Sequence, residues 1–343
     1  MNGVTKREAL APIAGNNAPR GEILIGLLLL GAATVVGAAA LAQSAPASLV
    51  KQGARQPLAA PAPPLASADS GGTTLAARRL NRAAATIATS VLMDSAMEHY
   101  RGDFRNKAMY TPLAISALTL LASFHGHRDF KPQAHWARDT IYALAGLTGI
   151  IGTGFHLYNV GKRPGGYCWQ NVFYGAPLGA PAAMSLAGMT GFLSERVRDN
   201  PPGSSPKVMG LPAGRVVAAL TGGGLVGTAM EAGLLHFRGA FHNPAMLLPV
   251  TAPPAAAAML GAAALGDNQP PRRLTRWWLR VTALLGVAGV GFHAIGVARN
   301  MGGWRNWTQN LQDGPPLPAP PSFTGLSLAG LAALSLLEDN RDG

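Results

Sequence analysis

Apolar residues in this chain come in long blocks rather than in alternation. A polar start carries Lys6, Arg7 and Arg20, and residues 23–42 then form an apolar run that ends Ala40-Leu41-Ala42. A basic start, an apolar run and a small-x-small end mark a secretory signal peptide cleaved after Ala42, and a run of this length serves equally as an uncleaved anchor helix. Residues 43–82, rich in Ala, Pro and Ser, read as a linker. Eight apolar segments follow, near 83–100, 108–125, 139–160, 177–194, 213–236, 245–266, 277–298 and 322–337. Each reaches or approaches the roughly 20 residues a helix needs to cross a hydrocarbon core. Backbone groups in lipid must pair within their own segment, so helix is expected over strand.

The segments fall into two matching sets. Asp94–Met109 reads DSAMEHYRGDFRNKAM, and Glu231–Met246, 137 residues later, reads EAGLLHFRGAFHNPAM. The alignment pairs Asp94 with Glu231, His99 with His236, Arg101 with Arg238, Gly102 with Gly239, Phe104 with Phe241 and Asn106 with Asn243. The same offset pairs Gly149, Gly152, Gly154, Phe155 and His156 with Gly286, Gly289, Gly291, Phe292 and His293. After a two-residue insertion, Gly175–Leu178 pairs with Gly314–Leu317, and the last segments close with Glu195 and Glu338. The predicted fold is an all-α integral membrane protein. It is a tandem repeat of two four-helix bundles, residues 83–200 and 213–338, with eight transmembrane helices in all. An even number of crossings per unit puts both copies the same way up, related by an axis along the membrane normal.

Composition agrees with lipid as the solvent: 48% of residues are hydrophobic and only 13% charged, with 43 glycines and 27 prolines. The net charge of +12 lies in the stretches between apolar runs, which points to anionic lipid headgroups as partners and away from nucleic acid. A single cysteine, Cys168, excludes an intramolecular disulfide and a Cys-cluster metal site. Walker loops, HExxH and nucleophile elbows are absent from the sequence. The expected location is a membrane of the bacterial inner-membrane type. Loop charge and the basic start of the chain give opposite orientations, so the sidedness of the histidine face is left open.

The repeated residues carry the candidate chemistry. Gly102 and Gly239 are expected as left-handed residues just past helix ends, and Asn106 and Asn243 as N-caps, with Pro244 next. The histidines are less easily explained as turn residues. His99 and His156 end segments that cross in the same direction, as do His236 and His293, so each unit presents two imidazoles at one depth. Intramembrane ionisable groups are candidate functional sites. Two axial imidazoles per unit suit haem b iron. Arg101 and Arg238 are then candidates for the propionates. Gly149, Gly152 and His156, like Gly286, Gly289 and His293, lie on one helical face, which suits either a flat macrocycle or close helix packing.

Quinone is a second expected cofactor, under a lid of Trp169, Gln170, Trp307 and Gln309, and Asp94 and Glu231 are candidates for a proton relay. His125, His127, His135 and His242 are expected as solvated loop residues. Together these features predict a membrane subunit of a redox complex that passes electrons between a partner dehydrogenase and the quinone pool. The alternatives are a transporter with a site at the repeat interface, using Asp94, Glu231 and the histidines, and a non-catalytic scaffold.

Overall fold

A computed structural model of the protein describes residues 70–201, 205–265 and 272–339. The expected signal or anchor helix, and the linker up to residue 69, lie outside the described residues. The chain is built almost wholly of helices. The first half holds α1 (Ser70–Arg101), α2 (Thr111–Arg128), α3 (Trp136–Gly161), the short α4 (Trp169–Tyr174) and α5 (Gly179–Arg198). A small antiparallel hairpin, β1 (Lys207–Val208) with β2 (Leu211–Pro212), leads into the second half. There α6 (Ala213–Arg238), α7 (Leu248–Leu265), α8 (Arg272–Arg299), α9 (Trp307–Asp313) and α10 (Pro321–Asp339) follow.

α1 begins inside the stretch read as linker. The three arginines Arg78, Arg79 and Arg82 interrupt the apolar run there, but not the amphipathic face, since Ala76, Ala77 and Leu80 are buried. In the first half α1, α2, α3 and α5 pack as a ring with α1 diagonal to α3; α6, α7, α8 and α10 do the same in the second. The halves meet where α1 lies along α10, and more loosely where α5 faces α6.

Among the described residues, six helical segments are long and apolar enough to cross a membrane, and α1 and α5 are not among them. The reason is position. α1 and α5 stand at the centre, shielded from lipid by their neighbours, and need not be apolar all round. α10, also central, has 67% of its most apolar window buried, against 17% for the outer α3 and α8. The outer helices instead expose large apolar side chains, such as Leu147 and Ile151 on α3 and Leu284 and Val287 on α8. The interior between central helices is rich in alanine, with Ala77, Ala83, Ala256 and Ala332 fully buried. Small residues let helices approach closely where lipid tails offer no hydrophobic contrast. The chain is thus an all-α protein with the make-up of a membrane-embedded one.

A buried ionic cluster closes the first half at the end opposite the repeated histidines. Arg138 donates to Glu195 (2.8 Å) and Asp129 (2.8 Å), Arg198 lies 3.7 Å from Glu195, and the side chains of Arg138, Glu195 and Arg198 are at most 2% exposed. Arg198 also donates to the Gly126, Asp129 and Lys131 carbonyls. Asp129, in the α2–α3 loop, is pulled upward by burial, but the Lys131 N–H and the Arg138 and Arg198 guanidiniums outweigh this and hold its carboxyl below the ordinary range. His125 packs edge-on against His135 and contacts Arg138.

Candidate functional site

Each half ends its first long helix in the same turn. Phe104 N–H donates to the His99 carbonyl (3.0 Å) and Asp103 N–H to Tyr100 (2.9 Å); Phe241 and Ala240 repeat this with His236 (3.1 Å) and Phe237 (2.9 Å). These are Schellman closures. The left-handed residues are not the glycines, as the sequence suggests, but Asp103 and Phe104 (φ 55° and 46°) and Ala240 and Phe241 (φ 55° and 46°). The glycines are needed for room: a Cβ on Gly102 would lie 3.0 Å from the Met109 methyl, and one on Gly239 3.1 Å from that of Met246. Left-handed non-glycine residues cost on the order of 1 kcal/mol each. The strained turn sets Phe104 edge-on to His99 and Phe241 edge-on to His236, each with ring centroids 6.2 Å apart. Asn106 and Asn243 cap the next helical turn as expected, each accepting from the backbone N–H two residues on (2.9 Å).

The turn also returns a carbonyl to the histidine. His99 Nδ1 bonds the Met109 carbonyl (2.6 Å) and His236 Nδ1 that of Met246 (2.9 Å). His156 Nδ1 bonds the Pro177 carbonyl and His293 Nδ1 that of Pro316 (2.6 Å). A carbonyl only accepts, so Nδ1 carries a proton in all four rings, and Nε2 is the nitrogen left for a ligand. Metal-ligating histidines are oriented by this kind of bond. The His236 and His293 rings stand 6.4 Å apart with planes at 72°. His99 and His156 lie near enough to interact electrostatically. Two rings at the His236–His293 separation would be able to ligate one metal ion through their Nε2 atoms.

No family model, curated protein or solved structure matches the chain. Among the described residues, no group of three or more His, Cys, Asp or Glu is placed to hold a metal ion. Each histidine pair offers two nitrogens and nothing more. That donor set suits a metal whose remaining positions are filled by its own macrocycle.

The glycine faces are occupied. A Cβ on Gly152 would lie 3.1 Å from Pro181 and one on Gly289 2.8 Å from Pro320. Gly149 and Gly286 are pressed against Pro181–Ser185 and Pro320–Thr324 in the same way. Ser185 and Thr324 then donate to the Gly146 and Ala283 carbonyls of the facing helix. Of the two expectations for these glycines, the structure carries helix packing, and a flat group has no room on that face.

Arg101 and Arg238 reach across to the opposite half. Arg101 pairs with Glu98 and donates to the carbonyls of Leu311 (3.0 Å) and Gly314 (3.3 Å), around the end of α9. Arg238 stacks over Phe173 at the end of α4, which Phe237 also meets edge-on. The α4 and α9 loops are each pinned by an asparagine: Asn171 donates to Pro164 and Gly166, Asn310 to Met301 and Gly303. Trp169, Gln170, Trp307 and Gln309 are exposed on the outside of these loops. The structure gathers none of the four around a cavity.

A cavity lies at the interface of the two repeats, where the transporter alternative places a site. Between α5 and α6 the halves part around a cleft of about 1700 Å³, walled mostly by Ala, Gly, Leu and Met. Its polar end is formed by Asp94, Glu98, Glu231, Arg101 and Arg238. Glu231 accepts from the Gly179 N–H at the start of α5. The proposed relay acids thus face the seam between halves and not the histidines. His127 is tied to Arg78 in both directions, while His242 is an exposed turn residue.

Proposed function

We propose that the protein is the membrane subunit of a redox complex, with two b-type haems, one per half, that passes electrons between a partner dehydrogenase and the quinone pool. The reading includes the finer architecture: two four-helix units, the same way up, in eight crossings. The observation that carries it is the His236–His293 pair, with rings 6.4 Å apart, both Nδ1 atoms fixed on carbonyls, and both Nε2 atoms left as the only nitrogen donors.

The bound haem supplies one-electron chemistry. The chain's residues do the rest. Met246 and Pro316 hold the tautomer that presents Nε2, and Met109 and Pro177 do so in the first half. Phe104 and Phe241 fix the rotation of the first ring of each pair. The cleft between the halves admits a lipophilic molecule from the bilayer. Glu231 and Asp94 line it five residues before His236 and His99, about 7.5 Å along the helix. Reducing a quinone to a quinol takes two electrons and two protons; in this reading Asp94 and Glu231 would hold and pass the protons.

The cleft also supports a second reading, a transporter with its site between the halves at Asp94 and Glu231. A spectrum separates the two. Purified protein should show reduced-minus-oxidised bands of b-type haem at two haems per chain, and His156→Ala and His293→Ala should each remove one haem. A colourless preparation overturns the redox reading. Solute uptake by that colourless protein, abolished in Glu231→Gln, would establish the transporter.

A further inference from the structure

On the side of the molecule opposite the repeated histidines, four guanidiniums converge on one pocket of about 330 Å³. Arg79 and Arg82 come from α1, at i,i+3; Arg276 and Arg280 come from α8, at i,i+4, so each pair shares a helical face. The floor is α10, with Leu328, Leu331 and Ser335. Arg79 donates to Ser335 (2.8 Å) and Arg276 pairs with Glu338, but no acceptor for the Arg82 or Arg280 guanidinium is found among the described residues. Glu338 also pairs with Arg272 outside the pocket (3.5 Å), so of the four pocket cations it neutralises Arg276 alone, and Arg82 and Arg280 are exposed.

The repeat itself does not call for this cluster. The positions 137 residues away are Val216 and Ala219 for the α1 pair, and Asp139 and Ala143 for the α8 pair. Like charges gathered at one depth repel unless an anion sits among them. The depth is that of the membrane surface: Arg276 is followed by Trp277 and Trp278, packed edge-on to each other, and tryptophan marks the headgroup level.

We infer that this pocket binds the phosphodiester headgroup of an anionic phospholipid. The guanidiniums fork onto its oxygens, and Leu328 and Leu331 take the first carbons of its chains. Because α1 belongs to the first half and α8 and α10 to the second, the lipid bridges the seam along which the halves meet most closely.

The test is thermal unfolding of the purified full chain in neutral detergent, followed by tryptophan fluorescence. The titrants are phosphatidylglycerol, phosphatidylcholine and inorganic phosphate. Phosphatidylglycerol should raise the unfolding temperature in a saturable way. Phosphatidylcholine should not, and inorganic phosphate should act only at far higher concentration. In Arg82→Gln/Arg280→Gln, the phosphatidylglycerol concentration giving half the effect should rise at least about tenfold, one lost charge-assisted bond being worth about that factor. Neither guanidinium has an acceptor among the described residues to lose, and their mutual repulsion is relieved, so without lipid this variant should unfold no lower than the parent. Arg105→Gln, on the other side of the molecule, should respond as the parent does. Equal shifts with phosphatidylcholine, or an unchanged response in the double variant, overturn the inference; an equal response to inorganic phosphate shows an oxyanion site that is not a lipid site.

Discussion

Glu195→Gln is the substitution whose cost the structure specifies most closely. The side chain is 0% exposed and faces two guanidiniums that are also out of solvent, Arg138 at 2% and Arg198 at 0%. Its Oε2 accepts from Arg138 (2.8 Å) and from the His135 backbone N–H (3.0 Å). Glutamine keeps the volume and one acceptor oxygen but removes the charge. Asp129 is then the only carboxylate for both arginines. Breaking a buried pair by removing one partner costs about 3–5 kcal/mol. The retained amide oxygen, and the three carbonyls that still receive Arg198, place this case at the lower end, about 3 kcal/mol. Reversible unfolding in mixed micelles, or steric trapping in bicelles, measures the difference. The loss should be insensitive to salt, because the charges are sealed from counter-ions. Glu338 near the end of α10, 28% exposed beside Arg272 and Arg276, should cost under about 1 kcal/mol when changed to Gln. A loss below about 1 kcal/mol for Glu195→Gln would refute the claim that this carboxylate neutralises the two buried arginines.

Two further outcomes follow from local geometry. Gly286→Ala puts a methyl 2.8 Å from the Pro320 carbonyl and the Thr324 nitrogen, so α8 and α10 must part, at a cost of about 1–3 kcal/mol by the same unfolding assay. Asp129 has a carboxyl held below its ordinary range in the folded chain, so its stabilising effect is complete above the unfolded carboxylate pKa and fades as pH falls through the lower folded value. Asp129→Asn should be less stable than the parent at neutral pH, and should lose less stability between about pH 5 and pH 3.

What the sequence showed, it showed through local chemistry. Asn106 and Asn243 cap because an amide oxygen two residues before an N–H can do nothing more favourable there. The glycine rows on α3 and α8 meet α5 and α10 because spacing of three and four puts them on one face. The buried cluster was hidden for the opposite reason: Arg138 and Glu195 are 57 residues apart, and only the packing of α3 on α5 joins them. The left-handed turn begins one residue after the glycine that suggests it, since glycine at 102 is demanded by the Met109 methyl and not by its own backbone. Neither the cleft nor the arginine pocket is a property of any one segment. Each arises from how tightly two helices from different halves close, α5 against α6 in one case and α1 against α10 in the other. Trp169 and Trp307 are large aromatics in long loops, yet the residues that anchor those loops are the modest Asn171 and Asn310.

The crossed reach of Arg101 and Arg238 gives the molecule the character of two bodies holding each other's wrists. Arg101 leaves the helix that carries His99 and grips the segment that follows α9; Arg238 leaves the helix that carries His236 and rests on α4. Those held segments lead directly to Pro316 and Pro177, whose carbonyls orient His293 and His156. The backbone that aims one imidazole pair is thereby held by the helix that carries a member of the other. The two centres share a common frame, and neither half by itself contains everything that positions its own pair.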